Sequence, residues 1–162
     1  MLINVGEGQS SKGFGNDFYP LQATRLSDDS YTILAKRSTS GDRKRSEMKP
    51  TNLALANSNQ AEQFIQQFAG KNYRVISLNA WSSSPGNANF GVVMASAPNQ
   101  DDWKAELSVM PDQLDAHLKE HSRGEMVVRN ITLYRENDQY KYAVLWSPEN
   151  DQRFSSKNVG GR

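Results

Sequence analysis

A chain of 162 residues with 36% hydrophobic side chains is long enough to bury one ordinary core and too short for two large domains. The absence of cysteine excludes disulfide scaffolds, thiolate zinc sites and cysteine nucleophiles. With 19 Lys and Arg against 18 Asp and Glu, the net charge is +1, so any nucleic-acid or anionic-membrane role would rest on a local patch rather than on the field of the whole molecule.

The first residues, Met1 to Asn16, turn quickly to Gly, Ser and Gln and contain no apolar core of the kind a secretory signal has. Residues 1–17 are therefore expected to be a flexible tail. No apolar run approaches the roughly 20 residues of a membrane span, so no membrane partner is expected. Cytoplasmic residence is the default, with signal-independent secretion left open.

From there the chain alternates two patterns. Leu21 to Leu26, the polar turn Ser27 to Ser30 and Tyr31-Thr32-Ile33-Leu34-Ala35 read as a first β-hairpin. A basic linker over 36–58 follows. Ala61, Phe64, Ile65 and Phe68 then fall at helical spacing, introduced by Asn59 with Glu62 as a capping pair and closed by Gly70. Arg74 to Trp81 and Phe90-Gly91-Val92-Val93-Met94 form a second hairpin. After the loop Pro98 to Val109, a second helix begins near Pro111 with acidic Asp112 and Asp115 in its first turn, carries Leu114, His117, Leu118 and His121 on one face, and ends at Gly124. Val127 to Tyr134 and Tyr142-Ala143-Val144-Leu145-Trp146 make a third hairpin, and residues 150–162 read as a second flexible tail.

The three aromatic-led runs are spaced by 59 and 52 residues, and the two helix faces coincide under a shift of 53. A hairpin cannot bury its apolar face alone. The order therefore predicts an α+β fold, ββαββαββ, in which three antiparallel β-hairpins alternate with two short amphipathic helices, repeat-like and in a single compact domain over 18–149.

The stretch from Tyr73 to Glu149 carries Trp81 closing a strand, Trp103 after the hairpin, Met110-Pro111-Asp112-Gln113-Leu114 opening a helix, Gly124 after it, and the final strand ending Tyr142-Ala143-Val144-Leu145-Trp146. In this it resembles the bacterial tandem-repeat units of polyglycine-hydrolase-like proteins, which form the vanes of a propeller-like domain. The resemblance implies a recognition or structural element, with catalysis belonging to a separate and much larger serine-hydrolase domain. Two units and a partial first one imply a small open stack, or closure by oligomerisation, rather than a closed propeller.

Three patterns bear on chemistry. His117-Leu118-Lys119-Glu120-His121 matches H-x-x-E-H, in which two His one turn apart hold zinc and the Glu acts as base. The pattern takes its third ligand far downstream, and only 41 residues follow His121. His117 and His121 stand where the first helix has Phe64 and Phe68, so helix–sheet packing is the favoured reading, with metal binding the minor one and no cofactor expected. Ser46-Glu47-Met48-Lys49 has the form of an acyl-transfer S-x-x-K but lacks its partner motifs, and the glycines at 6, 8, 13 and 15 fit no phosphate-binding spacing.

The third pattern is electrostatic. Between Lys36 and Lys49 six basic residues, Lys36, Arg37, Arg43, Lys44, Arg45 and Lys49, meet two acidic ones, a local charge of +4. Such a segment is suited to phosphates or an anionic surface, without the aromatics that stack bases. Trp103, Trp81 and Tyr134 lie at or just beyond strand ends and, with Arg129, are the candidate partner-binding residues. These observations predict a non-enzymatic recognition or structural module that takes a protein or glycan partner through loops at one edge. Polyanion binding through residues 36–49 is the alternative, and a zinc-dependent hydrolase using His117 and His121 is third.

Overall fold

The computed structural model describes residues 2–5, 18–25, 31–37, 52–84, 86–96 and 103–149. Among the described residues, nine strands form three antiparallel sheets of three. Sheet 1 contains β1 (Leu2–Val5), β2 (Phe18–Arg25) and β3 (Tyr31–Arg37). Sheet 2 contains β4 (Asn52–Asn57), β5 (Tyr73–Ser84) and β6 (Asn87–Ser96), with α1 (Ser58–Ala69) between β4 and β5. Sheet 3 contains β7 (Lys104–Val109), β8 (Met126–Glu136) and β9 (Gln139–Pro148), with α2 (Leu114–Arg123) between β7 and β8.

All three sheets share one order, β1-β3-β2, β4-β6-β5 and β7-β9-β8. The last strand of each is central, paired on one side with its hairpin neighbour and on the other with the first strand. The mostly β architecture with two helices agrees with the expected α+β class, whereas the element order departs from ββαββαββ. Each helix belongs with the strand before it and the hairpin after it. The additional strands β1, β4 and β7 lie in stretches expected as tail, linker and loop, and the cap of α1 sits two residues earlier than expected: Asn57 accepts from Gln60 N at 3.0 Å.

A further regularity is a bulge at one rung. In each hairpin the register slips by one residue at the same place, leaving Leu21 between Pro20↔Ala35 and Gln22↔Leu34, Ile76 between Val75↔Met94 and Ser77↔Val93, and Arg129 between Val128↔Trp146 and Asn130↔Leu145. A bulge bends its strand and increases the local right-handed twist. The β8–β9 hairpin closes on Asn137 and Asp138, both at positive φ, the geometry of the two-residue turns that match strand twist.

The sheets pack face to face. Between sheets 2 and 3 lies the main core: Leu78, Ala80, Phe90, Val92 and Met94 meet Leu107, Tyr134, Ala143 and Leu145, and Ala61, Phe64, Ile65 and Phe68 of α1 complete it. Phe90 and Tyr134 cross edge to face with centroids 5.2 Å apart, and the Tyr134 hydroxyl donates to Leu107 O at 2.5 Å. Sheets 1 and 2 also approach closely. Asn79 Nδ2 donates to Ala23 O at 2.7 Å, and a Cβ on Gly91 would lie 3.2 Å from Ala23 Cβ and 3.3 Å from its carbonyl oxygen. The absence of a side chain at Gly91 permits that approach.

Candidate functional site

The outer side of sheet 3 faces away from the main core and carries α2. Val109, Val144 and Trp146 are buried there beneath Leu114, Leu118, Met126, Val128 and Tyr142. A register shift in β7 between Glu106↔Val144 and Val109↔Tyr142 turns both Glu106 and Val109 to this side, because residues opposite Val144 and Tyr142 share a face.

Glu106 is the centre of a polar cluster. Its Oε1 accepts from Lys104 Nζ at 2.8 Å and lies 3.0 Å from His117 Nδ1. Its Oε2 accepts from Trp146 Nε1 at 2.9 Å and lies 3.5 Å from His121 Nε2. Lys104 Nζ is also 3.3 Å from His121 Nε2. The His121 ring is buried against the Trp146 indole, centroids 4.4 Å apart. Burial, the largest influence on the Glu106 carboxyl, pushes its pKa up. The hydrogen bonds from Lys104 and Trp146 and the charges of Lys104 and His117 together outweigh that and hold it below the usual value of 4.5.

Sheet 2 shows what this cluster replaces. Glu106 opposes Val144 as Ala54 opposes Val92, and Trp146 occupies the rung of Met94. On the helices, Phe64 and Phe68 pack with centroids 4.8 Å apart, while His117 and His121 are 6.1 Å apart. An apolar helix–sheet contact in sheet 2 is thus a polar one in sheet 3. Glu120, the would-be base of H-x-x-E-H, is exposed and is not in the cluster. The third member of the cluster is instead Glu106, upstream on β7. The sequence does not point to it, because the stretch Pro98 to Val109 reads as a loop, although Ala105, Glu106 and Leu107 already alternate.

The same outer face exposes large apolar groups. Ile131, Leu133 and Tyr140 are 46%, 52% and 57% exposed. Leu133 opposes Tyr142 and Arg135 opposes Tyr140, and the Arg135 guanidinium lies 5.9 Å from the Tyr140 ring centre. The corresponding rungs of sheet 2, opposite Val92 and Phe90, hold Leu78 and Ala80, which are 0% and 5% exposed beneath sheet 3.

The expected partner-binding residues fall elsewhere. Tyr134 is buried in the main core, and Trp103 is half-buried against it. Trp81 is half-buried, with Cζ3 3.4 Å from the position of a Gly91 Cβ, beside the contact with sheet 1. Arg129 donates to Ser147 Oγ at 2.7 Å, Pro148 O at 2.6 Å and Glu149 O at 3.1 Å, fastening its bulge to the end of β9. Of the basic segment, Lys36 and Arg37 lie at the end of β3, whereas Arg43, Lys44, Arg45 and Lys49, with the S-x-x-K motif, lie outside the described residues. Among the described residues no helix is long and apolar enough to cross a membrane. No family model, curated protein or solved structure matches the chain.

Proposed function

We propose that the chain is a non-enzymatic structural and recognition module, built from repeated three-stranded sheets, whose outermost sheet docks a second copy of the same chain. The common strand order and the common bulge at Leu21, Ile76 and Arg129 support the repeat reading and fit the resemblance to vaned repeat units. In a stack of this kind each sheet buries the face of the one before it, and an end unit needs a polar outer face to remain a single soluble body.

The two ends of the stack differ in this respect. Gln22 and Thr24 of β2 are exposed and polar, on the side opposite to buried Ala23. At the other end Ile131 and Leu133 are large, aliphatic and half-exposed at rungs that are covered in sheet 2. That contrast carries the reading. A two-fold contact that joins the two apolar ends satisfies both at once, and two-fold pairing is the commonest symmetry of soluble oligomers.

The magnitude sets the expected affinity. Full burial of an aliphatic side chain contributes about 1.5–3 kcal/mol, so covering two half-exposed ones on each partner contributes about 4 kcal/mol. This is at the low end of the estimated cost of association, about 4–15 kcal/mol. The contact must also recruit Tyr140 and Tyr142, and a reversible dimer of modest affinity is expected. Sedimentation equilibrium across a wide concentration range tests this. A monomer–dimer equilibrium that Leu133→Lys shifts to monomer is expected. A chain that stays monomeric throughout, or one that grows into open-ended oligomers by head-to-tail stacking, overturns it.

A further inference from the structure

Glu106, His117 and His121 bring a carboxylate and two imidazoles together on elements whose relative position the fold holds. Their ligand atoms all lie within 4.8 Å of one another. A tetrahedral zinc ion with bonds of about 2.0–2.1 Å places its ligand atoms about 3.3 Å apart. Each imidazole already lies at nearly that distance from one carboxylate oxygen, His117 Nδ1 3.0 Å from Glu106 Oε1 and His121 Nε2 3.5 Å from Glu106 Oε2, so an ion held by both rings would meet both oxygens of the carboxylate.

The supporting shell has the form that metal ligands need. Trp146 Nε1 donates to Glu106 Oε2, fixing the plane of the carboxylate, and the indole packs against the His121 ring. Outer contacts of this type orient first ligands and hold their geometry. Two nitrogen donors and one carboxylate suit zinc and its neighbours among the divalent transition metals, not magnesium or calcium, which prefer all-oxygen sites.

A cationic side chain already bridges two of the three groups. Lys104 Nζ contacts Glu106 Oε1 at 2.8 Å and His121 Nε2 at 3.3 Å. The Lys104 side chain is 46% exposed, so the ammonium can swing into water without opening the core. We propose that Glu106, His117 and His121 form a binding site for a zinc-class divalent ion, and that the Lys104 ammonium competes with the metal for it. The site shares the outer face of sheet 3 with the docking residues, Glu106 and Ile131 flanking Val144 on its two sides, but all three ligands come from one chain, so it does not depend on dimerisation.

The competition makes the proposal specific. If Lys104 holds the site roughly nine-tenths of the time, its removal tightens the apparent metal affinity about tenfold, because the competent fraction rises by that factor. The experiment titrates the whole chain, free of any histidine tag, with Co²⁺ followed by its visible absorption, then with Zn²⁺ by calorimetry. One ion per chain is expected, with Zn²⁺ displacing Co²⁺, tighter binding in Lys104→Gln, and at least tenfold weaker binding in Glu106→Gln and His117→Gln. Far-UV circular dichroism establishes that each variant is folded, and Lys104→Gln, altered at an exposed side chain, tests the competition even if Glu106→Gln unfolds. Failure of the wild type and of Lys104→Gln to bind either ion overturns the site. So does binding indifferent to His117→Gln. An affinity unchanged in Lys104→Gln overturns the competition.

Discussion

Ile131 of β8 and Leu78 of β5 stand at the same rung, opposite Val144 and Val92 of their central strands, yet Leu78 is fully buried and Ile131 is 46% exposed. The difference is whether a further sheet lies on top. Truncation should report it directly. Leu78→Ala opens a cavity between sheets 2 and 3 and is expected to cost about 2–5 kcal/mol, whereas Ile131→Ala in the dilute monomer should cost under about 1 kcal/mol. Urea unfolding at low protein concentration measures both, and equal losses would mean that Ile131 is covered within one chain.

The close contact of sheets 1 and 2 rests on a missing side chain. A methyl group at position 91 would meet both the Cβ and the carbonyl oxygen of Ala23, and the strand backbone must give way because no flexible side chain is there to move. Gly91→Ala is expected to destabilise by about 1–3 kcal/mol. Asn79→Ala, which removes the hydrogen bond to the same carbonyl but adds no bulk, should cost about 1 kcal/mol. Thermal unfolding of the two variants compares them; a Gly91→Ala protein as stable as wild type would show that the sheets do not approach so closely.

Tyr134 confers sensitivity to alkali. Burial, with the negative charge of Glu136 behind it, pushes its phenol up to about 12 from an ordinary value of 10.0. The native state therefore favours the protonated phenol. Its contribution is fully present below pH 10.0 and is lost as pH rises toward about 12. Tyr134→Phe should lose about 1 kcal/mol at neutral pH, where the Leu107 carbonyl forfeits its donor, and should be less steeply destabilised by alkali than wild type. Stability against denaturant measured from neutral to alkaline pH checks this, and parallel curves for the two proteins would overturn it.

What the amino-acid order revealed follows burial. The runs Tyr31 to Ala35, Phe90 to Met94 and Tyr142 to Trp146 are all central strands, and the latter two, buried on both faces, read as continuous apolar stretches for that reason. The helices were legible through their apolar spacing. The first strand of each sheet was not. Asn52-Leu53-Ala54-Leu55-Ala56-Asn57 is composed of residues that prefer helices or turns, and β7 mixes Lys and Glu into its alternation, as an edge strand can. Glu106 was hidden for the same reason. The two histidines were visible as a pair, but their carboxylate partner lay on a strand whose existence depended on pairing with β9, 40 residues from Glu106 to Trp146. The recurring bulge also obscured the faces: Val75 and Ser77, two apart and so apparently on one side, turn to opposite sides because Ile76 stands between them.

That extra residue has a geometric consequence for the stack. Excising Ile76, or Arg129 in sheet 3, would leave every remaining side chain of its strand pointing where it points now, since the ladder on each side of the bulge is already in step. What would disappear is a local increment of coil, repeated at the same height in all three sheets. The coil of β5, and of β8 in sheet 3, is thus set in part by a single inserted residue.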